Sequence, residues 1–168
     1  LAPGSHTIST AGTQAGSVAG TQYVFSSWSD GGQPQHPITV TSTPATYTAN
    51  FQTQHQLTTI ASPVDGGSVA PVTGRFYPSG SVVTLTATPA AGYGFLNWTG
   101  AVVNAIVPVT WIVLNAPQTV TANFAKSQIS VTVATAPPGL QVIVDGNPAP
   151  SPFNLNAIAG STHTIGLA

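Results

Sequence analysis

The chain offers few side chains that could do chemistry. Its 168 residues include three acidic residues, four His, two basic residues and no Cys. Asp30, Asp65 and Asp145 are each followed directly by Gly. Asp-Gly between alternating runs is typical of type I′ hairpin turns, which need positive φ at both central residues. With every acid assigned to a turn, no carboxylate pair remains for glycoside hydrolysis and none to orient an imidazole beside a serine. We therefore predict that the protein is not an enzyme.

The histidines give no local metal-binding pattern. They are His6, His36, His55 and His163, and no two of them stand two or four residues apart. A metal site would have to be assembled from distant segments, for example by convergence of His36 and His55. We expect instead that the histidines point outward and hydrogen-bond to neighbouring hydroxyl groups. The absence of Cys excludes thiol nucleophiles and zinc fingers, and we predict no cofactor and no metal.

The low charge excludes several classes of partner. Only 3% of the residues are charged, against about 25% in an average domain. The two basic residues, Arg75 and Lys126, are too few to neutralise a phosphate backbone, so nucleic acid is excluded as a partner. No apolar run approaches the ~18–20 residues of a membrane span. The first residues lack the pattern of a signal peptide, and we expect any export signal to lie outside this chain.

Aromatic residues recur in a fixed order. The recurring set, with the phenylalanine that closes each repeat, is Tyr23, Phe25, Trp28 and Phe51, then Tyr93, Phe95, Trp98 and Phe124. Buried aromatic side chains contribute about 150–250 Å² each and dominate the core of a small sheet domain. We predict that these eight residues form structural cores. Trp111 has no counterpart in the first repeat, and an exposed Trp111, Tyr77 or Trp28 could stack on sugar rings.

The intervening segments predict strands and no helix. Runs such as residues 81–88 and 129–135 are rich in β-branched residues that alternate with polar ones, which is typical of strands with one buried face. No window shows the three-to-four-residue spacing of an amphipathic helix. We predict an all-β fold of tandem small antiparallel β-sandwich units, with essentially no helix.

The order of the repeated features divides the chain into three. The same landmarks recur in the same order with a period of roughly 75 residues, which indicates an internal repeat. We predict a first segment (residues 1–53) that is the second half of a repeat, a complete middle segment (residues 54–126), and a last segment (residues 127–168) that is the first half of another repeat. A fragment of a longer tandem array explains this order simply. In a variant of this interpretation, the two half-repeats complete each other within one chain or between neighbouring chains.

Two families share these patterns. Gly92, Tyr93, Phe95, Trp98 and Gly100, followed by Thr-Val-Thr-Ala-Asn-Phe, resemble the divergent InlB-type B-repeat of bacterial surface and secreted proteins. Residues 129–165 resemble a PEGA-like repeat, which in such proteins often continues into a stretch like residues 23–32. The resemblance covers nearly the whole chain. It implies a non-catalytic module of multidomain extracellular bacterial proteins and brings no catalytic residues.

The functional hypothesis follows from the repeats, the low charge and this resemblance. We predict a structural repeat segment of a secreted or cell-surface bacterial protein that acts in surface display, adhesion or assembly into a fibre, with self-association of neighbouring copies by strand addition. The alternative is a glycan-binding accessory module that uses exposed aromatic residues. Solvent exposure of Trp111, Tyr77 and Trp28 separates the two hypotheses.

Overall fold

A computed structural model describes residues 2–167, and every regular element in that range is a β-strand, which confirms the all-β prediction. The strands are β1 (Gly4–Ser9), β2 (Thr13–Ala15), β3 (Thr21–Trp28), β4 (Gln35–Val40), β5 (Ala49–Ser62), β6 (Gly67–Ala70), β7 (Arg75–Pro78), β8 (Ser81–Pro89), β9 (Tyr93–Thr99), β10 (Val109–Leu114), β11 (Gln118–Lys126), β12 (Gln128–Val133), β13 (Gln141–Val144), β14 (Asn147–Pro150), β15 (Phe153–Ile158) and β16 (Ile165–Leu167). The described range contains no helix long and apolar enough to cross a membrane.

The strands form five small sheets. The largest has the order β2-β3-β5-β11-β9, with β7 also paired to β5. A three-stranded sheet β10-β8-β6 belongs to the middle segment, and a two-stranded sheet β1-β4 belongs to the first. The last segment contributes the sheets β12-β15 and β14-β13-β16.

The middle segment contains the main hydrophobic core. Strand β10 alternates between exposed and buried residues along its whole length, and β8 and β11 alternate in the same way. The inward side chains from the two sheets form one cluster: Leu57, Val83, Leu85, Ala87, Trp98, Ile112, Leu114, Val120, Ala122 and Phe124. Burial of this apolar surface, at about 25 cal/mol per Å², is the main force that holds the two sheets together.

Strand β5 is shared by two segments. Residues 49–55 pair antiparallel with β3 of the first segment, and residues 57–62 pair with β11 of the middle segment. The pairing with β11 is parallel, whereas all the other strand pairs of the described range are antiparallel. A parallel pair needs a long crossover connection, and here the crossover consists of strands β6 to β10. A single strand therefore joins the first segment to the middle one.

The last segment has a smaller core. Val133, Val142, Val144 and Ala149 are buried together, with Phe153 and Leu155 packed against them. Strands β13 and β14 are joined by a two-residue turn.

That turn has the type I′ conformation predicted for Asp-Gly. In it, Asp145 and Gly146 have φ of 51° and 79°. At Asp30-Gly31 only the glycine has positive φ, and at Asp65-Gly66 neither residue does, so the type I′ prediction is wrong at these two sites. The reason is loop length: both sites lie in connections longer than two residues, where other turn types serve.

Candidate functional site

The aromatic residues of the middle segment form a packed cluster. The Phe95 ring centroid lies 5.8 Å from that of Trp98 and 6.2 Å from that of Phe124, the latter in an edge-to-face arrangement. Trp98 is 2% exposed and Phe124 is 5% exposed. The Trp98 indole N–H donates to the Val107 carbonyl oxygen at 3.0 Å, so the one polar atom of the buried ring has a partner. The cluster fills the space between two sheets, as predicted for a structural core.

The first segment repeats this cluster with less cover. Phe25 lies 6.2 Å from Trp28 and 5.9 Å from Phe51, again edge-to-face with the second. All three rings are only half-buried. Tyr23 is 38% exposed, which contradicts its prediction as a core residue. The equivalent Tyr93 packs against the core of the middle segment, whereas no buried cluster of the described residues includes Tyr23.

Trp111 lies on an outward face of the middle segment. It is 48% exposed, and Val109 and Val113 flank it on the same side of β10. On the neighbouring strand β8, Thr84 and the exposed Val82 lie opposite Trp111 and Val113. The result is an apolar surface with an indole ring at its centre and a hydroxyl group beside it.

The other two glycan candidates are less accessible. Tyr77 is half-buried and packs against the core of the middle segment. Trp28 is half-buried, its indole N–H donates to the Pro34 carbonyl oxygen at 3.2 Å, and its ring meets that of His36 at 5.7 Å. Among the three, only Trp111 presents a large exposed ring.

Two histidines are paired with aspartates, contrary to the prediction that no acid orients an imidazole. In the first pair, His36 Nε2 lies 2.9 Å from Asp30 Oδ2, and His36 Nδ1 lies 2.7 Å from the Gln33 carbonyl oxygen. The hydrogen bond from the Gly32 N–H lowers the pKa of Asp30 most, and the hydrogen bond from the His36 imidazole lowers it further. Desolvation lowers the pKa of His36, but the hydrogen bonds to Gln33 and Asp30 outweigh it, so the net pKa is raised. The pair fastens the loop beside Trp28.

The second pair belongs to a Ser-His-Asp chain in the last segment. His163 Nδ1 lies 2.7 Å from Asp145 Oδ2, and His163 Nε2 lies 2.8 Å from the Ser161 hydroxyl oxygen. The Thr164 N–H donates to Asp145 Oδ1 at 2.8 Å. The His163 hydrogen bond and then the Thr164 N–H lower the pKa of Asp145. The three side chains have the connectivity of a proton-transfer chain.

The Ser-His-Asp chain has a structural role in this fold. Residues 160–164 lead from β15 to β16, and Asp145 is in the turn between β13 and β14. The hydrogen bonds therefore tie that loop to the hairpin. All three side chains lie at the surface, and Ser161 and His163 line neither the cleft at residues 38–45 nor the cleft that includes Val133 and Ile165.

The remaining histidines do not form a metal centre. His55 is 8% exposed and lies 3.3 Å from the Thr21 hydroxyl, so it is buried rather than outward-facing. His6 Nε2 lies 2.7 Å from the Ala2 carbonyl oxygen. Within residues 2–167, no group of three or more His, Cys, Asp or Glu residues is close enough to hold a metal ion.

The sequence analysis also did not predict the contact that the third aspartate, Asp65, makes with Tyr93. The Tyr93 hydroxyl donates to Asp65 Oδ2 at 2.8 Å, and this hydrogen bond raises the pKa of Tyr93. Each aspartate thus binds a ring within its own segment, six residues away for Asp30 and 28 and 18 residues away for Asp65 and Asp145. One signal was available: an Asp-Gly turn recurs in each segment, and each segment has an imidazole or phenol downstream of it.

The fold and its packed aromatic clusters define the class of protein as an all-β repeat domain. The family model of the divergent InlB B-repeat domain matches residues 57–128, which correspond closely to the middle segment. This confirms the resemblance for that segment, less than half of the chain, while the PEGA-like character of the flanks stays a prediction. No curated protein matches the chain, and no solved structure does.

The family match supports the general assignment. It indicates a bacterial surface repeat domain, with an extracellular or cell-surface location. Such repeat domains are typically non-enzymatic, in keeping with the structural role of the aspartate contacts.

Proposed function

We propose that the chain is a non-catalytic structural repeat segment of a secreted or cell-surface bacterial protein, acting in surface display, adhesion or assembly into a fibre. The observation that carries this proposal is the shared strand β5. Because its 14 residues pair with β3 in one segment and with β11 in the next, the two segments have no flexible linker between them. A module that holds its neighbours in a fixed orientation suits a spacer or a fibre subunit.

The second junction has a similar construction. Only Ser127 separates β11 from β12. Its N–H donates to the Gly92 carbonyl oxygen at 2.8 Å, and its own carbonyl oxygen accepts the Ala159 N–H at 2.8 Å. The hydrogen bonds on both sides of this residue restrict bending between the middle and last segments.

The surface chemistry is consistent with this role. With 3% charged residues and a formal net charge of -1, the protein has little electrostatic repulsion to keep copies apart. Few groups titrate, so the packed cores are insensitive to most changes of external pH.

The rigidity is tested by measuring a distance between two spin labels. The chain has no Cys, so Thr7→Cys and Thr84→Cys give one label site in the first segment and one in the middle segment. We expect a narrow distance distribution, and a broad one after two glycines are inserted between Gln56 and Leu57 in β5. The same insertion after Ser42, in the loop between β4 and β5, is the control and should leave the distribution narrow. A broad distribution in the unmodified protein would refute the spacer role.

The exposed face around Trp111 favours one second candidate, glycan binding. An indole ring that is 48% exposed beside Thr84 can stack on a sugar and leave a hydroxyl group within reach. Isothermal titration calorimetry with soluble cell-wall polysaccharides tests this candidate, because its signal does not depend on the Trp111 ring. Binding should disappear in Trp111→Ala and persist in Val18→Ala, a control at an exposed residue elsewhere. Equal binding by both variants would exclude this face as the site.

A further inference from the structure

Both ring nitrogens of His36 face oxygen atoms that accept hydrogen bonds and do not donate them. Nδ1 lies 2.7 Å from the Gln33 carbonyl oxygen, and Nε2 lies 2.9 Å from Asp30 Oδ2. A neutral imidazole has one N–H donor, whereas the imidazolium has two. The pKa of Asp30 is lowered, so its carboxylate is ionised near neutral pH and has no proton to donate. The positively charged form of His36 is therefore the one that satisfies both contacts.

His163 differs from His36 in this respect. Its Nδ1 faces Asp145 Oδ2, but its Nε2 faces the Ser161 hydroxyl, which can donate as well as accept. A neutral His163 therefore keeps both of its hydrogen bonds, whereas a neutral His36 loses one. The two Asp–His pairs of the protein are thus not equivalent in their response to the loss of a proton.

The loop between β3 and β4 closes around the His36 ring. The Gly32 N–H donates to Asp30 Oδ1 at 3.2 Å, and a Cβ at residue 32 would collide with the imidazole, so a glycine is needed at this position. The His36 ring meets that of Trp28 edge-to-face at 5.7 Å, and the Trp28 indole N–H donates to the Pro34 carbonyl oxygen at 3.2 Å. The contacts of His36 therefore also hold the loop against Trp28.

Few other titratable groups face His36 from the elements around it. The loop itself contributes Asp30, and β4 contributes no titratable residue besides His36. Strand β1, which pairs with β4, carries His6, two positions from the residue opposite His36. Strand β3 carries Tyr23, five residues before Trp28. Both basic side chains of the protein lie outside the first segment, so the charge on His36 is balanced by Asp30.

The equivalent loop of the middle segment makes the same tryptophan contact without a titratable pair. The Trp98 indole N–H donates to the Val107 carbonyl oxygen at 3.0 Å, as the Trp28 indole does to Pro34. Residues 100–108 contain no His, Asp, Glu, Lys or Arg. The fold therefore does not require an ion pair at this place, and the pair in the first segment adds a sensitivity to pH that the middle segment lacks.

We propose that the loop of residues 29–36 is a pH-dependent switch, which holds Trp28 while the His36 imidazolium bridges Asp30 and Gln33 and releases it when the imidazole loses its proton. A neutral ring turns a nitrogen lone pair towards either the carboxylate or the carbonyl oxygen, and the two repel each other. The switch goes beyond the proposed structural role, because it makes the exposure of an aromatic ring depend on the pH around the protein.

The closed loop is confined to a window of pH. Burial lowers the pKa of His36, but the hydrogen bonds to Gln33 and Asp30 raise it above the ordinary 6.5. Its contribution to stability is therefore fully present below pH 6.5 and is lost as the pH rises through the raised value. The hydrogen bonds from Gly32 and then His36 lower the pKa of Asp30 from 3.8, so that contribution is present above pH 3.8 and is lost as the pH falls through the lowered value. We expect the loop to open on both sides of this window.

Nuclear magnetic resonance of the full-length protein with isotope-labelled histidine and tryptophan tests the switch. His36→Gln and Trp28→Phe assign the two ring signals. We expect His36 to titrate with a midpoint above 6.5 and to carry N–H protons on both nitrogens below that midpoint. The Trp28 indole signal should change along the same titration curve, while the Trp98 signal stays constant as an internal control. A His36 midpoint at or below 6.5, or a Trp28 signal that does not follow it, would overturn the proposal.

A matched pair of aspartate variants tests the cause of the switch. Asp30→Asn removes the charge but keeps an oxygen that can accept from the Gly32 N–H, so the turn is retained. It should lower the His36 midpoint by about one pH unit and move the Trp28 transition with it. Asp65→Asn, in another Asp-Gly turn, is the control and should change neither. Equal midpoints in the two variants, or a Trp28 transition that stays in place when the His36 midpoint moves, would overturn the switch. The spin-label result is independent of these outcomes, so the structural role would still stand.

Discussion

The three tryptophans allow a graded test of the core assignment. Trp98 is 2% exposed and its indole N–H is hydrogen-bonded, so Trp98→Ala should lower the free energy of unfolding by about 3–5 kcal/mol. For a unit of this size, each kcal/mol shifts the melting temperature by about 4–8 °C. We therefore expect the middle-segment transition to fall by at least about 12 °C.

The other two tryptophans are less buried, and their expected losses of stability are compared with that of Trp98→Ala. Trp28 is half-buried, so Trp28→Ala should cost less, about 1–2 kcal/mol. Trp111 is 48% exposed and Trp111→Ala should change the stability by no more than about 0.5 kcal/mol. Urea unfolding followed by circular dichroism measures all three at low protein concentration, where association does not add burial. A Trp98→Ala loss no larger than the Trp111→Ala loss would refute the core assignment.

Three further predictions concern a turn, a close backbone approach and an exposed valine. The lowered pKa of Asp145 stabilises the fold at pH values above its ordinary pKa of 3.8, and this contribution is lost as the pH falls through the lowered value. Asp145→Asn should therefore lower the urea midpoint at neutral pH and reduce its fall towards acid; an unchanged pH profile would exclude the contribution. Gly67→Ala places a Cβ 2.5 Å from the Thr88 carbonyl oxygen and should cost about 1–3 kcal/mol, whereas Gly12→Ala meets nothing within 4 Å; equal thermal melts of the two variants would contradict this. Val18→Ala should leave the spin-label distances unchanged, since Val18 is 60% exposed and lies away from both label sites.

The strands and aromatic clusters could be predicted from the sequence because they depend on local spacing. Alternation along β8 and β10 fixes which residues face inward. The spacing of Phe95 and Trp98 brings both rings into one core once a bulge is allowed at that strand, and the ladder between β9 and β11 does have an irregularity there.

The parallel pairing of β5 with β11 could not be predicted in this way. It depends on the order of strands in space, and the two strands are separated by an entire crossover. Local alternation is the same for parallel and antiparallel neighbours, so it does not distinguish them.

The failure at Tyr23 has a different cause. Its sequence position is equivalent to that of Tyr93, but burial depends on which strands pack against the ring, and local spacing does not reveal this. The Asp30–His36 and Asp145–His163 pairs were missed because each aspartate was assigned to a turn, and a turn residue can also accept a hydrogen bond from a distant ring.

The shared strand β5 also has a mechanical consequence. When the chain is pulled from its ends, tension passes along β5 while its parallel ladder to β11 is loaded along the strand axis. In that geometry several hydrogen bonds must break together rather than one after another. We expect this junction to resist force better than a flexible tether, a useful property for a protein exposed to flow at a cell surface.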